Sequence, residues 1–81
     1  MNGNPKEITF EITERIGVIS RSRDGWAKEL NRVRWNGGAE KWDIREWDES
    51  HTRMSRGLTL TDEEMRQLTG LYLEREGRDA D

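Results

Sequence analysis

The chain has 81 residues, 31% hydrophobic and 38% charged, with a formal net charge of −3. That allows one domain with a modest core, near the compositional border with disorder, and four Trp between Trp26 and Trp47 place it on the folded side. With no Cys, disulfides, thiol nucleophiles and thiolate metal sites are excluded, and no apolar run approaches the roughly 20 residues of a transmembrane helix.

The N-terminal stretch has no apolar core of a secretory signal. The expected compartment is the cytoplasm, with association to the nucleoid as a variant of it. The net charge hides an asymmetry. Residues 1–14 carry −2, residues 15–56 carry +3 and residues 57–81 carry −4. The Trp-rich middle is therefore basic, and binding answers to that local field rather than to the total.

In chain order, residues 1–6 contain Asn, Gly and Pro and read as a flexible arm; the domain is expected over 7–76, with a flexible tail over 77–81. Ile8, Phe10 and Ile12 alternate with polar residues, the period of a half-buried strand. Residues 16–20 form a second, short β-prone run. Asp24-Gly25 marks a turn. Residues 26–35 alternate again, with Trp26, Lys28, Leu30, Arg32 and Arg34 on one parity and Ala27, Glu29, Asn31, Val33 and Trp35 on the other. Asn36-Gly37-Gly38 predicts a hairpin, because Asn and Gly tolerate positive φ. The return strand is expected over 41–47, a polar loop over 48–55 and a short strand over 58–60.

Thr61-Asp62-Glu63-Glu64 is a capping box that opens a helix. Met65, Leu68, Leu71 and Tyr72 form its apolar stripe, and Gly77 predicts its end. Strands followed by one helix make an α+β pattern. A domain this small leaves dimerisation as a natural further source of burial.

No catalytic site and no metal site is expected. His51 stands alone in a polar loop, no Ser has a nucleophile context, and no Gly-rich phosphate loop is present. No cofactor is implied. Binding is better supported. Placing Val33 and Trp35 against Ile44 and Trp42 on a core face leaves Trp26, Lys28, Arg32, Arg34, Arg45 and Trp47 on the outer one. Cations neutralise phosphates and aromatic rings stack on exposed bases, a combination suited to single strands. Trp26 and Trp47 have a second reading, as caps of the core or of a dimer seam. Leu30 conflicts with a wet face, and a β-bulge beside it would turn it inward.

Three blocks carry a family resemblance: Gly25-Trp26-Ala27-Lys28-Glu29-Leu30-Asn31-Arg32-Val33, Trp42-Asp43-Ile44-Arg45-Glu46-Trp47, and Arg56-Gly57-Leu58-Thr59-Leu60 followed by Thr61-Asp62-Glu63-Glu64-Met65. In order and spacing they resemble the transcriptional coactivator positive-cofactor-four (p15) family, in its bacterial YdbC-like branch. The match spans about residues 8–75. The strand around Arg45 ends in one Trp, where eukaryotic members have two successive aromatics.

The resemblance implies a curved four-stranded antiparallel sheet followed by one C-terminal helix. It implies a homodimer built through that helix (Met65, Leu68, Leu71, Tyr72) and the sheet ends. It also implies single-stranded DNA, or RNA, bound largely without sequence preference, in transcription or in the handling of exposed strands. It carries a contact role onto Arg45, Trp47 and Arg56, with Lys28 and Arg32 following from the first block. The alternative function is a module that docks on the transcription machinery through the same face, without touching nucleic acid.

Overall fold

The computed structural model describes residues 8–79. The expected arm lies outside them, as do the last two residues of the expected tail. Four strands and one helix follow in chain order: β1 (Phe10–Arg21), β2 (Ala27–Trp35), β3 (Glu40–Trp47), β4 (Met54–Leu60) and α1 (Asp62–Asp79), with a short 3₁₀ turn at Arg23–Gly25 between β1 and β2. The strands form one antiparallel sheet in the order β1-β2-β3-β4. The α+β pattern agrees with the sequence, and the four-stranded antiparallel sheet with what the resemblance implies.

Both turns follow from residues that tolerate positive φ. Asp24 and Gly25 sit at φ 65° and 81°, and Asn36 and Gly37 at 53° and 73°. Asn36 is also held from the side: its amide donates to the Thr9 carbonyl at 2.8 Å, and its Oδ1 accepts from the Thr9 amide at 3.0 Å.

Three boundaries differ from the sequence reading. The two β-prone runs before residue 21 are one strand, β1, because register shifts at three points absorb the breaks in its alternation. β4 begins at Met54 rather than at residue 58. The helix runs through Gly77 to Asp79, since Gly77 keeps helical φ and does not cap it.

The largest correction concerns the faces. Ala27 pairs with Trp47, Glu29 with Arg45, Asn31 with Asp43 and Val33 with Lys41. Arg45 and Trp47 therefore share a face with Val33 and Trp35. Trp42 and Ile44 lie on the opposite face, opposite Arg32 and Leu30. A pairing shifted by one residue inverts every side chain, and the hairpin sets the register one step away from the sequence expectation. The expected bulge beside Leu30 is on β1 instead, between Arg15 and Gly17; the β2–β3 ladder is unbroken. Leu30 keeps its place in a row with Ile44 and Leu58.

The buried side chains lie on the face of Val33 and Trp47, both 0% exposed, together with Ala27 and the polar Glu29, Asn31 and Asp43. One sheet encloses such a face only by curling round it, and the bulges of β1 supply bend and twist.

The capping box forms as read: Thr61 N donates to Glu64 Oε1 at 2.9 Å, and Glu64 N to Thr61 Oγ1 at 3.1 Å. Asp62, Glu63 and Glu64 complement the positive end of the helix dipole, and Arg78 the negative end. Asp62 also docks the helix on the sheet. It accepts from Arg32 Nη1 at 2.6 Å and from Trp42 Nε1 at 2.8 Å. Arg32 spans to Glu40 at 3.1 Å, and Glu40 accepts from the Thr13 hydroxyl as well.

Past this joint the helix leaves the sheet, giving a molecule 62 Å long and 18 Å thick. Leu68, Leu71, Tyr72 and Leu73 are all more than two-fifths exposed. Among the described residues no helix is long and apolar enough to cross a membrane.

The joint sets an acid response. The hydrogen bond from Arg32, then that from Trp42, holds Asp62 below the usual carboxylate range; the Thr13 hydroxyl, then Arg32, does the same for Glu40. A carboxyl depressed in the folded state contributes stability above its unfolded pKa, and that contribution is lost as pH falls through the folded value. We predict that the helix joint loosens below about pH 4, read as a change in Trp emission with retained strand signal. Asp62→Asn should remove part of that transition; an unchanged acid limb would exclude Asp62 as a source.

Candidate nucleic-acid interface

The seven sequence-predicted contact residues separate into three groups. Trp26, Lys28 and Arg56 come together at one end of the sheet. Lys28 lies opposite Ser20 of β1 and Glu46 of β3. Trp26 immediately precedes β2 and is half-buried, with its carbonyl accepting from the Ser22 amide and hydroxyl. Arg56 sits in the β4 bulge that separates the Arg45–Gly57 and Trp47–Met54 pairs. Lys28 and Arg56 are exposed.

Two exposed cations absent from the sequence prediction join them. Arg21 ends β1 opposite Ala27, and Arg53 closes the β3–β4 loop. Their only sequence signal was the basic balance of residues 15–56, which names no position. The loop that carries Arg53 is shaped by Asp48. Its carboxylate accepts from the amides of Thr52 at 2.9 Å and Arg53 at 3.1 Å, and from the hydroxyls of Thr52 and Ser50. The Arg53 amide, ahead of the Thr52 groups, holds the Asp48 carboxyl below its usual range. This acid is engaged within the loop, while Glu46 stands beside Lys28.

Arg34 is set apart, at the other end of β2. It pairs with Glu11 at 3.0 Å, with its side chain 40% exposed.

Arg32, Arg45 and Trp47 form the third group and are built into the fold. Arg32 stacks over Trp42 at 4.6 Å while paired to Asp62 and Glu40. Arg45 repeats the device on the opposite face. It stacks over Trp35 at 4.6 Å, and a fork of two bonds, 2.6 and 2.9 Å, ties it to Asp43. Nη1 donates to the Ser55 carbonyl, Nη2 of the fork also reaches Thr59 Oγ1, and Thr59 in turn donates to Asp43. Gly57 makes room for this side chain: a Cβ there would lie 2.4 Å from Arg45 Cβ and 2.5 Å from the Ile44 carbonyl oxygen. Trp47 is fully buried against Phe10 and His51, with ring centroids 5.2 and 5.7 Å away. It presents no ring face to solvent. The sequence reading of Arg45 and Trp47 as outward neighbours of Lys28 and Arg32 is thus corrected by the register.

A match to the model of the family described as transcriptional coactivator p15 (PC4) covers residues 22–71. The chain belongs to this family. The matched span runs from the turn before β2 into α1, so it contains Trp26, Lys28, Arg53 and Arg56 and the Arg45–Gly57 packing. An uncharacterized protein of Treponema pallidum (strain Nichols) is 42% identical over 65 residues, which are 80% of this chain and 76% of that protein. A bacterial relative of such length accords with the bacterial branch that the three blocks resemble.

Proposed function

We propose that this p15-family protein binds single-stranded DNA, with RNA as a second substrate, largely without sequence preference and as a homodimer, in transcription or in the handling of exposed strands. The observation that carries the reading is the basic end of the sheet. Four exposed cations, Arg21, Lys28, Arg53 and Arg56, lie at the same end of the sheet as the half-buried Trp26, within or beside the matched span. The cations neutralise phosphates, and Trp26 offers a ring on which a base can stack, an interaction worth about 1–3 kcal/mol per base. A duplex hides its base faces, so the aromatic contribution favours single strands.

The helix supports the dimer. Helices in proteins draw most of their stability from packing an apolar face, and α1 leaves Leu68, Leu71 and Tyr72 largely uncovered. A second copy of α1 would bury them. Sedimentation should show a dimer for the parent chain and a monomer for Leu71→Glu; a parent chain that remains monomeric at micromolar concentration would remove the homodimer.

The binding test is Trp emission during titration with an oligo-dT strand and with a matched duplex, at low and high salt. Strong quenching by the single strand, relieved by salt and much weaker with duplex, is expected. Lys28→Ala and Arg56→Ala should each lower the salt slope by about one phosphate contact. No quenching together with a gel-shift null would sink the reading. Weak, equal affinity for single and double strands would point instead to docking on a protein.

A further inference from the structure

β1 is an edge of the sheet, hydrogen-bonded to β2 alone among the described strands. Its second half exposes a run of apolar side chains: Ile16 is 41% exposed, Val18 46% and Ile19 54%. Register shifts between Arg15 and Gly17 and between Val18 and Ser20 leave Ile16 and Ile19 as extra residues with no partner in β2. α1 meets the sheet at β3 and β4 and does not cover these three residues. A lone exposed apolar side chain needs no explanation, but a cluster on an edge strand marks a contact surface. The cluster opens onto a cavity of about 230 Å³, with Ile16, Gly17 and Val18 on one side, His51 on another, and Glu29 and Asn31 of β2 beneath. The polar groups beneath are engaged with one another. Asn31 Nδ2 donates to Glu29 at 3.0 Å, and His51 Nε2 lies 3.0 Å from both of its carboxylate oxygens. Glu29 is 8% and Asn31 1% exposed, so a group seated above them strips off little further water. What the cavity offers is its apolar wall, with room for one aliphatic side chain.

Two arginines bracket the cluster. Exposed Arg15 lines the cavity, and exposed Arg21 follows Ile19 by two residues. Arg32, Arg34 and Arg45 are tied to carboxylates, whereas among the described residues Arg15 and Arg21 are not. We propose that this edge of β1 is a docking surface for an acidic peptide of a partner protein. The peptide seats one aliphatic side chain in the cavity and sets carboxylates against Arg15 and Arg21. The buried anchor supplies most of the affinity, and the two cations select the sign of the partner. The bulges bear on the mode of contact. They interrupt the outer row of amides and carbonyls, so the peptide is held through its side chains rather than as an added strand. Arg15 and Val18 lie opposite Asn31 and Glu29, on the sheet face away from Lys28. The surface therefore shares only Arg21 with the proposed strand contacts and stands independently of them.

The experiment titrates the isotope-labelled chain with a short peptide of Asp and Glu around one central Leu and follows the backbone amide resonances. Shifts should centre on residues 15–19 and His51 and leave Lys28 and Arg56 in place. Replacing the peptide's Leu by Ser should weaken binding about tenfold, the scale of burying one such side chain. Replacing its acids by Lys should abolish binding. Arg15→Glu should lower affinity for the acidic peptide at least about fivefold, as like charges then face each other. Val18→Thr removes part of the apolar wall, keeps a β-branched residue, and should also weaken the peptide; it keeps the test valid if the Arg15 variant does not fold. Both variants should retain oligo-dT affinity. No shifts at residues 15–19, or equal binding of all three peptides, would overturn the proposal. Shifts there that follow the chain's own concentration would give the surface to a second copy and overturn it too. So would oligo-dT shifting residues 15–18 and displacing the peptide. Failure of the parent chain to bind oligo-dT bears on the single-strand reading alone.

Discussion

Trp47→Ala is expected to cost about 3–5 kcal/mol of stability, the scale of removing a fully buried aromatic. Domains of this class have only about 5–15 kcal/mol in total. The ring is 0% exposed and contacts Phe10 and His51, so its loss opens a void under the whole curled face. Urea unfolding followed by circular dichroism measures the effect, at fixed protein concentration because the proposed dimer would make stability depend on it. Trp47→Phe should be far milder. It retains a ring and removes an indole N–H that is buried without a partner among the described residues. If Trp47→Ala instead folds with nearly parental stability and loses oligo-dT affinity, the ring is a binding platform and the burial argument fails.

The second large effect is expected at Arg45. Removing it leaves Asp43, 1% exposed, as a buried charge whose remaining bond is from Thr59. Breaking a buried pair from one side costs about 3–5 kcal/mol, because the surviving charge is uncompensated. Arg45→Ala should therefore destabilise strongly and barely change the salt dependence of strand binding. Lys28→Ala should do the reverse. Pairing Arg45→Met with Asp43→Asn should recover much of the lost stability, since no lone charge then remains. A stable Arg45→Ala variant with a salt slope lowered by one contact would return Arg45 to the interface.

These two residues show how far the sequence reaches. Its alternation identified β2 and β3, and Asn36-Gly37 identified the hairpin between them. Both signals are local: period-two burial and positive φ are read from adjacent residues. The capping box at Thr61 and the apolar stripe of α1 were legible for the same reason. The charge balance of residues 15–56 pointed to the basic region without naming Arg21 or Arg53.

The register across the hairpin was not local. One residue of slip moves Arg45 and Trp47 from one face of the sheet to the other. The slip depends on how the chain closes after Gly37, where the Gly38 amide returns to the Trp35 carbonyl at 2.8 Å. The sequence also marked Arg32 and Arg45 as cations, but a cation's availability depends on what stands beside it. Asp62 lies 30 residues from Arg32 along the chain, and Thr59 lies 14 from Arg45.

By itself, then, the sequence determined the α+β order, the turns, the helix cap and the family. The tertiary structure decided which face each Trp occupies, which cations are held by carboxylates and which stay exposed at the sheet end, and that Glu29, Asn31 and His51 meet in one cavity. The physical reason is the same throughout. Periodicity and turn chemistry are encoded by neighbours, whereas burial and ion pairing arise from strand register and loop closure between residues far apart in the chain.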